Sequence, residues 1–170
     1  MPVLLFHSKS KDLKARVLSN FSNHSVNFEG RQYPSIEHAF QAQKYLYSNK
    51  PQEINAFTSS GELGQLDPKF AKSAGSKTGM MKRGAMLDDI SWNSNSISVM
   101  KSLIEIKINT HEEVARVLEE AKKLDQELVH YSLRDMKWGC HYDHDLGKIK
   151  RGDNLLGKIY TDLVNKIDFS

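Results

Sequence analysis

The sequence has little of what marks a secreted or membrane-spanning chain. Its 170 residues include one cysteine, Cys140, so no disulfide can form within the chain, which fits a reducing compartment. No apolar run approaches the ~20 residues that a membrane-spanning helix needs. The N-terminus has no basic segment before a long apolar one. We therefore expect no signal peptide, no membrane association and a cytoplasmic location.

The chain also lacks a strong charge of either sign. It has 24 Lys and Arg residues against 21 Asp and Glu, a formal net charge of +3 at pH 7. This charge helps to attract a phosphate but does not by itself argue for nucleic acid binding. Hydrophobic residues make up 39% of the chain, an ordinary share for a globular protein with a core. A chain of this length is expected to form one domain over residues 1–170.

Hydrophobic spacing predicts an α+β fold that is mostly helical and has a small sheet. The short apolar run over residues 3–7 is typical of a strand, and residues 127–132 are a second candidate strand. Alternation over residues 26–33 around Glu29-Gly30 is typical of a hairpin. A capping box at Thr110–Glu113 is predicted to open one helix, and residues 76–95 receive no assignment. Helices are predicted over residues 35–47, 51–58, 68–74, 97–108, 110–121 and 154–163. Asp67 before Pro68 is predicted to be the N-cap of the third of these helices, and Gly75 is predicted to end it.

The first predicted helix carries an unusual set of polar groups over residues 34–45. Its exposed face is expected to present Glu37, His38, Gln41 and Lys44. An acid, an imidazole, an amide and an ammonium group on neighbouring positions can both bind and protonate a ligand. Helix physics alone leaves two interpretations of Glu37. It is either a first-turn glutamate that favours the helix dipole or a catalytic carboxylate at the rim of a pocket.

A tryptophan followed by a glycine stands outside any helical stripe, in the segment that contains Asp135, Trp138 and Gly139. This pattern is typical of a platform on which a flat base stacks, with the glycine allowing a ligand close to the backbone. Packing in the core is the alternative for the tryptophan, because most tryptophans are buried.

Residues 152–157 open the last predicted helix. Free N–H groups at a helix start suit a phosphate or carboxylate, so Asn154 is either an N-cap or a ligand contact. Gly157 lies inside the helix, where glycine costs ~1 kcal/mol against alanine, so a neighbouring element or a ligand must approach it closely. In a polar loop further upstream, Asn20 next to Phe21 either binds a sugar hydroxyl or stabilises a turn.

Residues 140–145 hold one thiol, two imidazoles and two carboxylates. Their spacing matches no specific metal site, and such clusters are usually solvated loops. No metal and no other cofactor is therefore expected, and a metal-dependent hydrolase that uses this cluster is an alternative.

Three groups of residues carry a resemblance through their order and spacing along the chain. The first is Val17–Phe21, the second is Pro34–Tyr45, and the third is Asp135–Gly139 followed by Gly152–Gly157. Together they resemble the YbiA-like family, also called NADAR, from about Phe6 to the last helix. The resemblance agrees with an α+β fold and implies an N-glycosidase, which hydrolyses the bond between a ribose and a base-like amine. The implied substrates are phosphoribosylamino-pyrimidine intermediates of riboflavin synthesis, or ADP-ribose attached to guanine in nucleic acid. No obligate protein partner is implied.

The resemblance also implies roles for individual residues. Glu37 is expected to be the central catalytic acid or base and Asp135 the supporting one, while Trp138 holds the base and Asn154 with Lys44 holds the phosphate end. The expected substrate-binding residues are Asn20, Phe21, His38, Gln41, Lys44, Trp138, Gly139 and Asn154.

The chain departs from the family pattern at three places, one of which is Cys140, where a small or acidic residue is common. The strand before Asp135 usually ends Leu-Val-Glu in similar proteins, whereas here it ends at His130, so a fixed negative charge is lost. That loss favours an alternative of another class, a module that binds ADP-ribose or a related nucleotide without turnover. An expected Gly-Arg pair is at best Ser76-Lys77, and residues 78–92 align poorly. The cations that remain as phosphate ligands are Lys44, Lys77, Lys82 and Arg83.

Overall fold

The computed structural model describes residues 1–169 and confirms the predicted α+β fold class. The strands are Val3–Phe6 (β1), Val26–Phe28 (β2), Arg31–Tyr33 (β3), Glu127–His130 (β4), His141–Asp143 (β5) and Lys148–Arg151 (β6). The α-helices are Ile36–Tyr45 (α1), Pro68–Ala74 (α2), Lys77–Lys82 (α3), Asp89–Thr110 (α4), Glu112–Lys123 (α5) and Leu155–Lys166 (α6). The 3-10 helices are Lys14–Leu18 and Pro51–Phe57. None of the helices within residues 1–169 has the length and apolar character that a membrane crossing requires.

The chain divides into two compact units. Unit 1 consists of residues 1–22 and the chain from residue 111 onward, and unit 2 consists of residues 23–110. Each unit has its own set of paired strands, because β1 pairs with β4 and β5 with β6 in unit 1, while β2 pairs with β3 in unit 2.

Unit 1 is built on the parallel pair of β1 and β4, whose register runs from Val3 opposite Glu127 to Phe6 opposite His130. The fully buried ring of Phe6 stacks on the His130 ring at 5.3 Å and meets the Tyr160 ring of α6 edge-on at 5.6 Å. Helix α6 therefore packs against the strand pair, and it does so beside the end of β4.

Gly157 shows how closely α6 approaches β4. A side chain at this position would overlap the carbonyl oxygen of Leu128 and the side chain of Asn154. The sequence prediction that something must approach Gly157 is confirmed, and the neighbour is a strand of the same unit.

Replacing Gly157 by alanine should destabilise the protein, although alanine is the better helix former by ~1 kcal/mol. The added methyl group must displace β4 or Asn154, and overpacking of this kind typically costs about 1–3 kcal/mol. We expect a net loss of about 1–2 kcal/mol in the free energy of unfolding, measured by urea denaturation. Ser98→Ala, at an exposed position of α4, is the control and should change stability by less than about 0.5 kcal/mol. A Gly157→Ala protein as stable as the wild type would contradict the close packing of α6 on β4.

Unit 2 is organised around α1. The predicted hairpin precedes it, and Glu29 and Gly30 take the positive φ angles of 49° and 78° that its tight turn requires. Ser35 caps α1 by accepting a hydrogen bond from the backbone N–H of His38. The Phe40 ring lies 5.1 Å from the Trp92 ring of α4, which joins these two helices.

One sequence prediction for unit 2 and its border is wrong and one is confirmed, and the segment that received no assignment contains helices. Residues 76–95 are largely helical, because they hold α3 and the first turns of α4. Thr110 ends α4 and is not a cap, because His111 is the N-cap of α5. Asp67 and Gly75 cap the two ends of α2 as predicted.

Candidate functional site

The residues predicted for the site divide between the two units. Unit 2 holds Glu37, His38, Gln41 and Lys44, all on α1. Unit 1 holds the others, which are Asn20, Phe21, Asp135, Trp138, Gly139 and Asn154.

The polar face of α1 is buried. Glu37 is 6% exposed, His38 1% and Gln41 6%, whereas Lys44 is half-buried. The prediction of an exposed face is therefore wrong, because α2, α4 and the turn at residues 63–66 cover the helix. A buried carboxylate is costly unless hydrogen bonds compensate it, so Glu37 is not an ordinary first-turn glutamate.

Glu37 and Gln41 form a pair one helical turn apart. The Gln41 Nε2 donates to Glu37 Oε1 at 2.9 Å, which turns the amide oxygen away from the carboxylate. That Gln41 Oε1 is buried and accepts no hydrogen bond from any residue in 1–169. Leaving a buried acceptor unsatisfied costs about 1–3 kcal/mol, so this atom is suited to a donor that a ligand brings.

Gly75 lies directly against Gln41, and a side chain at position 75 would overlap the Gln41 Oε1. Two hydrogen bonds hold this end of α2 on α1. Lys44 Nζ donates to the Gly75 carbonyl at 3.0 Å, and the Tyr45 hydroxyl donates to the Ala74 carbonyl at 2.6 Å. The bond to Gly75 takes one of the three donors of the Lys44 ammonium group. Glu37, Gln41 and Gly75 are therefore locked in one packed arrangement.

His38 has both ring nitrogens bonded inside unit 2. Its Nε2 lies 3.1 Å from the carbonyl oxygens of both Leu63 and Leu66, and because a carbonyl only accepts, Nε2 carries the hydrogen. Its Nδ1 then accepts from the Ser35 hydroxyl at 2.7 Å. No ring nitrogen is left for substrate, so this geometry opposes the predicted binding role of His38. The His38 ring instead joins the start of α1 to residues 63–66 through these hydrogen bonds.

The protonation of His38 gives a pH dependence of stability with a definite sign. Burial lowers its pKa below the usual value of 6.5, because the charged ring is disfavoured in the core. The unfolded state then binds the proton more readily than the folded state does. The contribution of His38 to stability is therefore fully present above about pH 6.5 and is lost as the pH falls through the folded-state pKa. Burial, together with the charge of Arg16, lowers the pKa of His7 as well, so His7 adds to the same trend.

We expect the wild type to lose stability as the pH falls from about 7.5 to about 5, a range that includes the ordinary pKa of histidine. His38→Gln should lose less over that range, since the amide Nε2 can still donate to Leu63 while carrying no titrating proton. Urea denaturation at the two pH values measures this difference. Equal losses in the two proteins would show that His38 does not titrate with folding.

In unit 1, Asp135 stabilises its own loop. Its Oδ1 accepts from the backbone N–H groups of Lys137 at 3.1 Å and Trp138 at 2.9 Å, and its own N–H donates to the Ser132 hydroxyl oxygen at 2.9 Å. The other oxygen, Oδ2, is therefore the atom with which Asp135 can act on a ligand.

The start of α6 is capped by that loop. The four N–H groups of residues 153–156 donate to the four carbonyls of residues 136–139 at 2.8–3.1 Å. The prediction that this helix start offers free N–H groups to a phosphate is therefore wrong. The Asn154 side chain, 3% exposed, is engaged as well, since its Oδ1 accepts from the His130 N–H at 2.9 Å and its Nδ2 donates to the Leu128 carbonyl at 3.0 Å. Its side chain thus joins α6 to β4.

Trp138 is half-buried and lies outside the fully buried core, with Lys137 Nζ 5.2 Å from its ring centroid. Gly139 is buried, and a side chain there would come within 2.9 Å of the Ser132 side chain and 3.0 Å of the His130 carbonyl oxygen. Packing within unit 1 thus explains the glycine, whereas the tryptophan ring stays partly accessible.

Asn20 and Phe21 are half-buried in the loop that follows the first 3-10 helix. The Phe21 N–H donates to the Ser19 hydroxyl oxygen at 3.1 Å. The Tyr160 hydroxyl of α6 donates to the Leu18 carbonyl at 3.0 Å, so α6 fixes the position of this loop.

The segment 140–145 forms a hairpin strand and turn. Asp143 Oδ1 accepts from the N–H groups of Asp145 and Leu146, both at 2.9 Å, and burial raises the pKa of the Cys140 thiol to about 11. Among residues 1–169, no three His, Cys, Asp or Glu side chains stand where they could hold a metal ion together. The alternative of a metal-dependent hydrolase therefore lacks a ligand set in this part of the chain.

Lys107 is a residue that the sequence analysis missed. It lies on α4 and is fully buried, and it shares unit 2 with Glu37. Within residues 1–169, these two are the only Asp, Glu, Lys or Arg side chains that are buried. Its spacing was a usable signal, because Lys107 continues the stripe of Met100, Leu103 and Ile104.

Comparisons with known proteins agree with this architecture. A model of the NADAR domain matches residues 5–168. N-glycosidase YbiA of Escherichia coli K12 is 28% identical over 161 residues, which cover 95% of this chain and 86% of that protein. An N-glycosidase of Nostoc punctiforme is 29% identical over 150 residues, which cover 88% and 83%. The NMR structure of the E. coli protein YbiA has the same fold, with a TM-score of 0.68 at 24% identity over 98% of this chain and 86% of that chain. The chain therefore belongs to the NADAR domain family.

Proposed function

We propose that this protein is an N-glycosidase, a hydrolase that cleaves the bond between a ribose and a base-like amine. Membership of the NADAR family supports the reaction, as do relatives named N-glycosidases that match along most of the chain. One observation carries the assignment of the catalytic group. Glu37 is a buried carboxylate, 6% exposed, and Gln41 fixes one of its oxygens at 2.9 Å.

The chemistry requires a group of this kind. When the bond between C1′ and the nitrogen breaks, positive charge develops on the ribose and negative charge on the leaving nitrogen. A fixed carboxylate stabilises the first charge and takes a proton from the attacking water, whose oxygen forms the new bond to C1′. A second acid gives a proton to the leaving nitrogen, as in the glycoside hydrolases that use two carboxyl groups. We assign the first role to Glu37 and the supporting role to Asp135 through its Oδ2.

Other side chains bind the substrate in this proposal. The unsatisfied Gln41 Oε1 accepts a hydrogen bond from a hydroxyl of the substrate or from the attacking water. Lys44 contributes positive charge for the phosphate end, and Asn20 contributes an amide for the sugar. Trp138 stacks on the base. Asn154 acts indirectly, by holding α6 on β4.

The substrate in this proposal is a ribosylated base that carries phosphate. Two compounds meet that description, a phosphoribosylamino-pyrimidine intermediate of riboflavin synthesis and guanine that carries ADP-ribose. An aromatic platform and a lysine suit both, since each has a flat base and at least one phosphate.

Trp138→Ala should weaken ligand binding by about 1–3 kcal/mol, the usual cost of losing a stack between a base and an aromatic ring. Titration with ADP-ribose measures this loss. The melting temperature should change little, because the ring is half-buried and its backbone carbonyl, which caps α6, is retained.

Trp92→Ala is the matched control for Trp138→Ala. Trp92 is 5% exposed and packs on Phe40 and Tyr47, so its truncation should cost about 3–5 kcal/mol of stability. If Trp138→Ala loses as much stability as this control, and its folded protein binds ADP-ribose normally, then Trp138 packs in the core and does not stack on the base.

A second candidate function is a module that binds ADP-ribose without cleaving it. His130 favours it, because the resemblance implies a glutamate at this position and the imidazole supplies no fixed negative charge. Incubation with an ADP-ribosylated guanine oligonucleotide and with a phosphoribosylamino-pyrimidine separates the two functions. Release of a free base from either compound supports the N-glycosidase, whereas binding without release supports the module.

A further inference from the structure

His130 lies at the end of β4 and is held by its backbone on both sides. Its N–H donates to Asn154 Oδ1 at 2.9 Å, and its carbonyl accepts from the Cys140 N–H at 2.9 Å. The imidazole ring stacks on the fully buried Phe6 at 5.3 Å, with the two ring planes 15° apart. Because Phe6 and the strand pair fix this ring, its nitrogens point in defined directions.

The Nδ1 atom of His130 lies 3.1 Å from the carbonyl oxygen of Trp138. A carbonyl oxygen can only accept, so this ring nitrogen carries the hydrogen. The same oxygen accepts the N–H of Leu156 at 3.0 Å, and a carbonyl has two lone pairs. One lone pair of the Trp138 carbonyl thus accepts the hydrogen bond from the first turn of α6, and the other accepts the hydrogen bond from His130.

We propose that His130 is a positioning residue, which fixes the Trp138 ring for stacking by donating Nδ1–H to the Trp138 carbonyl. The inference rests on the proposed function, in which Trp138 binds the base. The carbonyls of residues 136–139 accept hydrogen bonds from residues 153–156, and Asp135 Oδ1 accepts from the N–H groups of Lys137 and Trp138. The bond from His130 adds an anchor from the strand pair, and a platform held in its bound orientation avoids an ordering cost when ligand binds.

The chemistry of the bond also explains why histidine suits this position. An ionised glutamate only accepts hydrogen bonds and could not donate to the Trp138 carbonyl. A glutamate at position 130 would therefore replace this donor by an acceptor. In this chain position 130 supports the loop and does not supply a fixed negative charge.

Two amide variants of His130 test whether the hydrogen bond from Nδ1 is the one that positions Trp138. In His130→Asn the Nδ2 group takes the place of Nδ1, whereas in His130→Gln the Nε2 group takes the place of the other ring nitrogen. We expect His130→Asn to bind ADP-ribose within about threefold of the wild type and His130→Gln to bind about tenfold more weakly, where tenfold equals 1.4 kcal/mol. Equal binding by the two variants, or weaker binding by His130→Asn, would overturn the proposal.

A spectroscopic readout needs no substrate. In a Trp92→Phe background, Trp138 is the remaining tryptophan, because the chain has two. Its fluorescence emission should match the wild-type background in His130→Asn and shift in His130→Gln. Identical spectra in both variants would contradict positioning by Nδ1. If the spectra differ as expected but Trp138→Ala binds ADP-ribose normally, the failure lies in the proposed function and not in the contact between His130 and Trp138.

Discussion

Glu37→Gln should leave a folded protein that binds ligand but no longer cleaves it. The change is nearly isosteric, and the new amide oxygen can still accept from Gln41 Nε2, while the charge and the proton chemistry of the carboxylate are lost. General acid–base catalysis contributes about 10²–10⁴-fold, and we expect turnover to fall by at least about 100-fold. Product release over time and titration with ADP-ribose measure the two properties separately.

Glu105→Gln is the matched control for this change, because Glu105 is exposed on α4 and should be replaced without effect. A folded Glu37→Gln protein that keeps a tenth or more of wild-type turnover would show that Glu37 is not the catalytic group.

Gly75→Ala should remove most of the activity, although Gly75 carries no functional group. Its φ of −87° is one that alanine adopts freely, so backbone strain plays no part. The methyl group instead overlaps Gln41 Oε1. The backbone at Gly75 is held in place, because Lys44 and Tyr45 donate hydrogen bonds to this end of α2. Displacing Gln41 disorients Glu37, and a misplacement of about 1 Å can cost about 10²-fold in rate.

A double mutant shows whether the effect of Gly75→Ala passes through Gln41. In a Gln41→Ala protein the overlap is gone, so adding Gly75→Ala should cost little further activity. Multiplicative losses in the double mutant, or wild-type activity in Gly75→Ala alone, would show that Gly75 does not act on the orientation of Glu37.

The sequence was sufficient for those features of the fold that depend on local chemistry. Asp67 before Pro68, Ser35 at the start of α1 and Glu29-Gly30 in the hairpin are short-range signals, and each lies where it was predicted. Helix α3 was missed because six residues are too few to show helical periodicity.

The environment of the site could not be predicted, because it depends on contacts between distant segments. Burial of Glu37 and Gln41 follows from α2 and α4 packing on α1, which the pattern of a single helix does not reveal. The N–H groups at the start of α6 were predicted to be free, but the carbonyls of residues 136–139 occupy them. Lys107 was missed, although its spacing places it on the buried stripe of α4.

The most direct test of the account compares wild type and Glu37→Gln on both candidate substrates, side by side, with the products identified by mass spectrometry. We predict that the wild type releases a free base from at least one of them, together with ribose phosphate or ADP-ribose. Glu37→Gln should bind the same compound with similar affinity and release none. Equal release by the two proteins, or binding without release by the wild type, would contradict an N-glycosidase that depends on Glu37.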